Sequence, residues 1–89
     1  VVILIWDLPD DPDGNVAHIA EHGITPEEVR EAMDDPGGSG GLSRSSGRPI
    51  AFGETAAGRY LAMVYEVALD DPKTLYVVTA YDAPRRRRR

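Results

Sequence analysis

Between positions 15 and 31 the chain reads NVAHIAEHGITPEEVRE, and two helix boundaries fall back to back inside it. Gly23 stands where a helix C′ residue takes a left-handed conformation, which glycine adopts without steric cost. Thr25 reads as the N-cap of a new helix and Pro26 as its first residue. Glu28, three past the cap, completes a capping box. Two short helices, about 15–22 and 26–33, are therefore expected to meet at a tight corner over 22–25. At about 100° per residue, Val16, Ile19 and Ala20 form the apolar stripe of the first. Asn15, His18 and His22 fall on a separate face that this reading leaves free. The second helix turns Val29, Ala32 and Met33 inward and Glu27, Glu28 and Glu31 outward.

The rest of the chain is laid around this corner. Residues 1–5 are an unbroken β-branched and aliphatic run, expected to form a strand buried on both faces in a sheet interior. Residues 7–14, with prolines, aspartates and a glycine, read as a loop. The glycine- and serine-rich segment 37–47 has no periodicity and reads as a flexible connection. Three strands follow at 48–54, 59–69 and 74–81, separated by the turns Ala56-Ala57-Gly58 and Asp70-Asp71-Pro72-Lys73. Short connections make them an antiparallel meander. The expected architecture is α+β: strand, helix, helix, then a three-stranded meander, with both helices on one face of the sheet. One domain spans 1–84 and a basic tail spans 85–89.

Charge separates these two parts. Lys and Arg total 10 against 15 Asp and Glu, a net of -5 in 89 residues. Five of the arginines are residues 85–89, so the body holds 5 basic and 15 acidic side chains and carries -10. Such a body repels phosphate on average, and RNA contact requires a local basic patch, which the tail supplies. By composition the tail itself reads as a solvated, unfolded end. With no cysteine, disulfides, thiolate metal sites and cysteine nucleophiles are excluded, in keeping with a reducing compartment. No apolar run approaches the roughly 20 residues that span a bilayer. A core this small is often supplemented by a partner or a second copy, so a homodimer is compatible with the length.

Two constellations bear on chemistry. His18-Ile19-Ala20-Glu21-His22 matches H-x-x-E-H, whose histidines at i and i+4 share a helix face and have zinc spacing. A hydrolytic site needs a third protein ligand, and two half-exposed histidines on a short helix are the simpler reading. The second constellation is dispersed: His22, Arg48, Glu54, Arg59 and Tyr81, with Trp6 and the tail. Arginine stabilises charge on a phosphorane, while histidine, tyrosine or glutamate moves protons at the 2′-hydroxyl and the leaving oxygen. Solvated arginines at strand starts and a packing tyrosine are the structural alternative. No phosphate-loop or nucleophile-elbow motif is present.

Several segments resemble the BrnT family of bacterial toxins, small RelE-like ribonucleases of type II toxin–antitoxin modules. They are Trp6-Asp7, Asn15-Val16-Ala17, His22-Gly23-Ile24-Thr25-Pro26-Glu27-Glu28, the strand from Gly47-Arg48 to Gly53, the apolar strand over 61–65, and the closing strand over 76–83. The similarity covers most of the chain in order. Glu21 replaces the family's lysine before the His-Gly pair. Ser46 or Gly47 stands where a glutamate precedes the arginine, and Tyr81 where the last strand offers arginine. The resemblance implies a RelE-like fold, RNA cleavage without metal or other cofactor, a bacterial cytoplasm, and an antitoxin partner of ribbon-helix-helix type. Carried onto this chain, it makes His22 and Arg48 functional. The expected catalytic set is His22, Arg48 and Tyr81, with Arg59, Arg85 and Arg86 contacting RNA. The alternative is a non-catalytic protein-interaction module that retains the fold.

Overall fold

The structure, a computed structural model, describes residues 2–84; the expected RNA contacts at Arg85 and Arg86 lie outside the described residues. The elements run β1 (Ile3–Ile5), α1 (Asn15–Ala20), α2 (Pro26–Met33), β2 (Ser39–Leu42), β3 (Pro49–Glu54), β4 (Tyr60–Asp70) and β5 (Lys73–Asp82). They form one five-stranded mixed sheet in the order β1-β5-β4-β3-β2. β1 runs parallel to β5, and the other neighbours are antiparallel.

The strand-helix-helix-meander architecture expected from the sequence is therefore corrected. The segment expected to be a flexible connection contributes a fifth strand, β2, paired with β3 from Ser39↔Phe52 to Leu42↔Pro49. Glycine is a poor strand former by propensity, but here its lack of a side chain is used for close approach. A Cβ on Gly38 would lie 2.6 Å from the Phe52 carbonyl oxygen, so the chain enters β2 over a path that only glycine fits.

The place of β1 is corrected too. It lies at the sheet edge, with Ile3 and Ile5 exposed at 47% and 37%. An all-apolar run implies cover on both faces; here only the face carrying Leu4 packs on the helix-side core.

The helix corner forms as its local signals dictate. Gly23 has φ +71°. Thr25 accepts from the Glu28 N–H at 3.2 Å, and the Glu28 carboxylate accepts from the Thr25 N–H at 3.0 Å. Ile19, Ile24 and Val29 from this region pack on Leu61, Met63 and Val77 of the sheet, all nearly or fully buried. Each such side chain contributes about 1.5–3 kcal/mol of transfer free energy.

The polar face of α1 is not free at its start. Asn15, only 2% exposed, is pinned between strands. Its side-chain amide donates to the Ile5 carbonyl at 3.0 Å and the Val77 carbonyl at 2.9 Å. Its Oδ1 accepts from the Asp7 N–H at 2.8 Å, and its own N–H donates to Asp7 Oδ2 at 2.9 Å. The Tyr76 hydroxyl donates to the same Asp7 oxygen at 2.6 Å.

Asn15→Ala would strip partners from buried backbone groups, at a cost of about 1–3 kcal/mol per orphaned group. Its urea midpoint is expected to fall accordingly. Asn15→Asp, which keeps the size but turns an acceptor toward two carbonyls, is expected to be no more stable than Asn15→Ala. Recovery of wild-type stability in Asn15→Asp would show that shape, not hydrogen bonding, is what matters there.

Candidate functional site

The candidate site lies where the helix corner meets the last turn of β5. The His22 and Tyr81 rings are edge-on, with centroids 6.4 Å apart, and His18 is 6.2 Å from His22. Tyr81 belongs to the part of β5 beyond the short partner β1, which reaches only to Tyr76. It is 37% exposed, and His22 is exposed as well. Two proton-carrying side chains thus share one open edge of the sheet.

Arg59 holds this edge together. It stands just before β4, and its guanidinium reaches three elements. Nε donates to Asp82 Oδ1 at 2.6 Å and Nη2 to Asp82 Oδ2 at 2.9 Å, a forked ion pair with the residue next to Tyr81. Nη1 donates to the Gly23 carbonyl at 2.8 Å and Nη2 to the His22 carbonyl at 3.0 Å. Nη1 also lies 3.4 Å from the Glu28 carboxylate. The carbonyls past the end of α1 are groups that a helix leaves unpaired, and a cation there is favoured by the helix dipole.

The Asp82 hydrogen bond, and secondarily its charge, raise the Arg59 pKa above its ordinary range. In return, the Arg59 hydrogen bond outweighs a small desolvation effect and holds the Asp82 carboxyl below the usual carboxylate range, with further help from the charges of Arg59 and His22. The donors of Arg59, the residue expected to contact RNA, are engaged with Asp82, Glu28 and the carbonyls of His22 and Gly23. It acts as a positioning residue that fixes the His22 backbone beside Tyr81.

Arg48 does not join this group. Its Nε donates to Glu66 Oε2 at 2.8 Å. In the β3–β4 register Ile50 faces Val64, which carries Arg48 toward Glu66, whereas Tyr81 faces Ala62. Four positions at about 3.3 Å per residue separate them by roughly 13 Å along the strand alone. Of the expected catalytic set, the structure brings His22 and Tyr81 together and leaves Arg48 apart. Glu54 starts its backbone N–H toward Asp35 Oδ2 at 2.8 Å, near the other end of β3. Among the described residues no cluster of three or more His, Cys, Asp or Glu is placed to hold a metal ion, so His18 and His22 lack the third ligand their spacing would need.

Asp82 and, beyond its capping role, Glu28 are partners of Arg59 that sequence reasoning did not assign to it. Arg59 and Asp82 flank the β4–β5 hairpin at similar distances from its turn, a symmetry readable once the turn at 70–73 is placed. No family model matches this chain, and no curated protein matches it.

A carboxyl with a lowered folded-state pKa contributes stability that is complete above its ordinary value near 3.8 and is lost as pH falls through the folded value. Asp7 is lowered in the same direction, first by the Tyr76 hydroxyl and then by the Asn15 N–H. Stability is therefore expected to drop on acidification below about pH 4. In urea titrations across that range, Asp7→Asn and Asp82→Asn should each be less stable at neutral pH and show a shallower acid limb. An unchanged acid limb in both would remove these two carboxyls from the account.

Proposed function

We propose that the protein is a metal-independent ribonuclease of the toxin type, working in the bacterial cytoplasm and restrained by an antitoxin of ribbon-helix-helix type. The observation that carries this reading is the convergence of His22 and Tyr81 on one open sheet edge. It joins the resemblance of the surrounding segments to BrnT toxins.

In this reading His22 accepts the proton of an RNA 2′-hydroxyl. The 2′-oxygen attacks the adjacent phosphorus, the bond to the 5′-oxygen breaks, and Tyr81 donates the proton that the leaving oxygen needs. The products are a 2′,3′-cyclic phosphate and a 5′-hydroxyl; His22 gives its proton to water and Tyr81 takes one back from water, so both side chains return to their starting forms. Charge on the phosphorane requires a cation. Arg59 is engaged within the protein, so the role falls to Arg85 and Arg86. They follow Tyr81 by four and five residues, a contour of roughly 13–17 Å.

A second reading, a non-catalytic protein-interaction module, draws on a separate observation. Arg48 is tied to Glu66 away from His22, and the body without its tail is strongly acidic.

Expression in a bacterial host separates the two. The toxin reading expects growth arrest with RNA breakdown. His22→Ala should relieve it, with cleavage by purified protein falling about 100-fold or more. Tyr81→Phe should fall at least tenfold, and Arg48→Ala should stay within a few-fold of wild type. Harmless high-level expression, with RNA intact in the presence of purified wild-type protein, would establish the module instead.

A further inference from the structure

Both helices pack on one face of the sheet, through Ile19, Val29 and Ala32. Among the described residues no helix crosses the opposite face. Leu4 joins the helix-side core, so Ile3 and Ile5 project to that opposite face, because side chains alternate along a strand. Directly paired residues share a face, and the pairing carries the face across the sheet. Ile3 pairs with Thr74 and Thr74 with Leu69; Ile5 pairs with Tyr76 and Tyr76 with Glu66. Tyr60, Ala62, Val64 and Glu66 then alternate along β4, opposite Glu54, Phe52 and Ile50 for the first three. Ile50, Ala62 and Val64 form a second apolar cluster, with Phe52 and Val78 packed on it. Phe52 stacks on Tyr60 at 6.1 Å, and Ile3, Ile5 and Leu69 stay exposed at 47%, 37% and 52%.

An antiparallel sheet face that meets water is polar where the other face is apolar. Here both sets of positions are apolar, which is the pattern of a sheet covered on both sides.

Charge selects the cover. Pairing places two acidic side chains on this face, Glu54 at its end and Glu66 on β4, the middle strand of five. Arg48 reaches Glu66 from the turn before β3, Nε to Oε2 at 2.8 Å. Most of the other acidic residues belong to the loop 7–14, to the two helices and their ends, and to the β4–β5 turn. A cationic partner is drawn to those parts. The nearly neutral sheet face is where two acidic bodies can meet with least repulsion. The Arg48 and Glu66 side chains are 44% and 53% exposed, and among the described residues the terminal nitrogens of Arg48 make no hydrogen bond. A two-fold contact presents the same patch from both sides, so an axis beside this pair sets each Arg48 against the partner's Glu66.

We infer that this sheet face is the interface of a homodimer, in which two copies pack sheet on sheet and exchange the Arg48–Glu66 pairing across a two-fold axis. The inference stands apart from the ribonuclease reading. Tyr81 lies at the margin of the face, with its ring beside His22. Four or five strands at about 4.8 Å, over six to eight residues at about 3.3 Å, give each face roughly 400–600 Å² and the pair about 800–1,200 Å². That is the lower end for a specific interface, so the dimer is reversible and depends on concentration.

The test is sedimentation velocity of the full chain from about 5 to 500 μM, chosen to bracket a weak dimer. The wild type should move from the mass of one chain toward that of two. Ile5→Lys and Leu69→Lys alter exposed positions, and circular dichroism checks their fold. Each should weaken association at least about tenfold, because it buries an unpaired charge. Glu27→Gln, on the helix side, should associate as wild type. Arg48→Glu and Glu66→Arg should each weaken association alone. Mixed in equal amounts, these two variants should associate again, since every charge across the axis then meets its opposite. A loss of folding cannot imitate that recovery.

A single-chain mass throughout the range overturns the interface. So does a dimer that survives both lysine variants and both charge reversals, which puts the contact elsewhere. A monomer whose Phe52 and Val64 amide signals shift with added polylysine, and not with its own concentration, overturns it in favour of a cationic partner.

Discussion

The Asn15 side chain continues the β1–β5 pairing where the backbone ladder stops. A parallel pair of three residues is too short to persist by itself, because parallel pairing is weaker per residue and the intervening chain must be ordered first. One amide group bridges the Ile5 and Val77 carbonyls, and its oxygen takes the Asp7 N–H. Asp7 in turn receives the Asn15 N–H and the Tyr76 hydroxyl. The entry of α1, the exit of β1 and the centre of β5 are thereby one hydrogen-bonded unit, and α1 is aimed so that its end arrives beside Tyr81.

Arg59 fixes the other end of that helix by a different means. Forked pairing with Asp82 and two carbonyl contacts past α1 tie the helix corner to the last strand. A guanidinium is suited to this because its planar donors serve several acceptors at once. The same engagement turns its donors toward Asp82, Glu28 and the carbonyls of His22 and Gly23. The site is thus an imidazole–phenol edge on an acidic body, with positive charge concentrated beyond Pro84 in sequence.

What was legible beforehand follows the range of the interactions. The corner at Gly23, Thr25, Pro26 and Glu28 is encoded within a few residues, and local chemistry determines it. The Gly/Ser segment and the first strand were misjudged because their roles are set by distant partners. Ser39–Leu42 becomes a strand by lying against β3, and Ile3–Ile5 becomes an edge by lying against β5 alone. Asn15 looked like a surface residue by helical periodicity, since nothing in its neighbourhood announces the Val77 carbonyl 62 positions later. Register likewise decided the site. His22 and Tyr81 converge, and Arg48 slides four positions away to Glu66. The stacking of Phe52 on Tyr60 across a turn likewise needs the β3–β4 pairing to be seen.

The joining of the first strand to the last has a consequence for biosynthesis. His22 is made early, whereas Tyr81, Asp82 and Val77, which complete its surroundings, are among the last described residues to be synthesised. Contacts of such long sequence separation cannot form on a growing chain until β5 has emerged from the ribosome. The imidazole–phenol edge is therefore absent for as long as residues 77–82 are still within the ribosome.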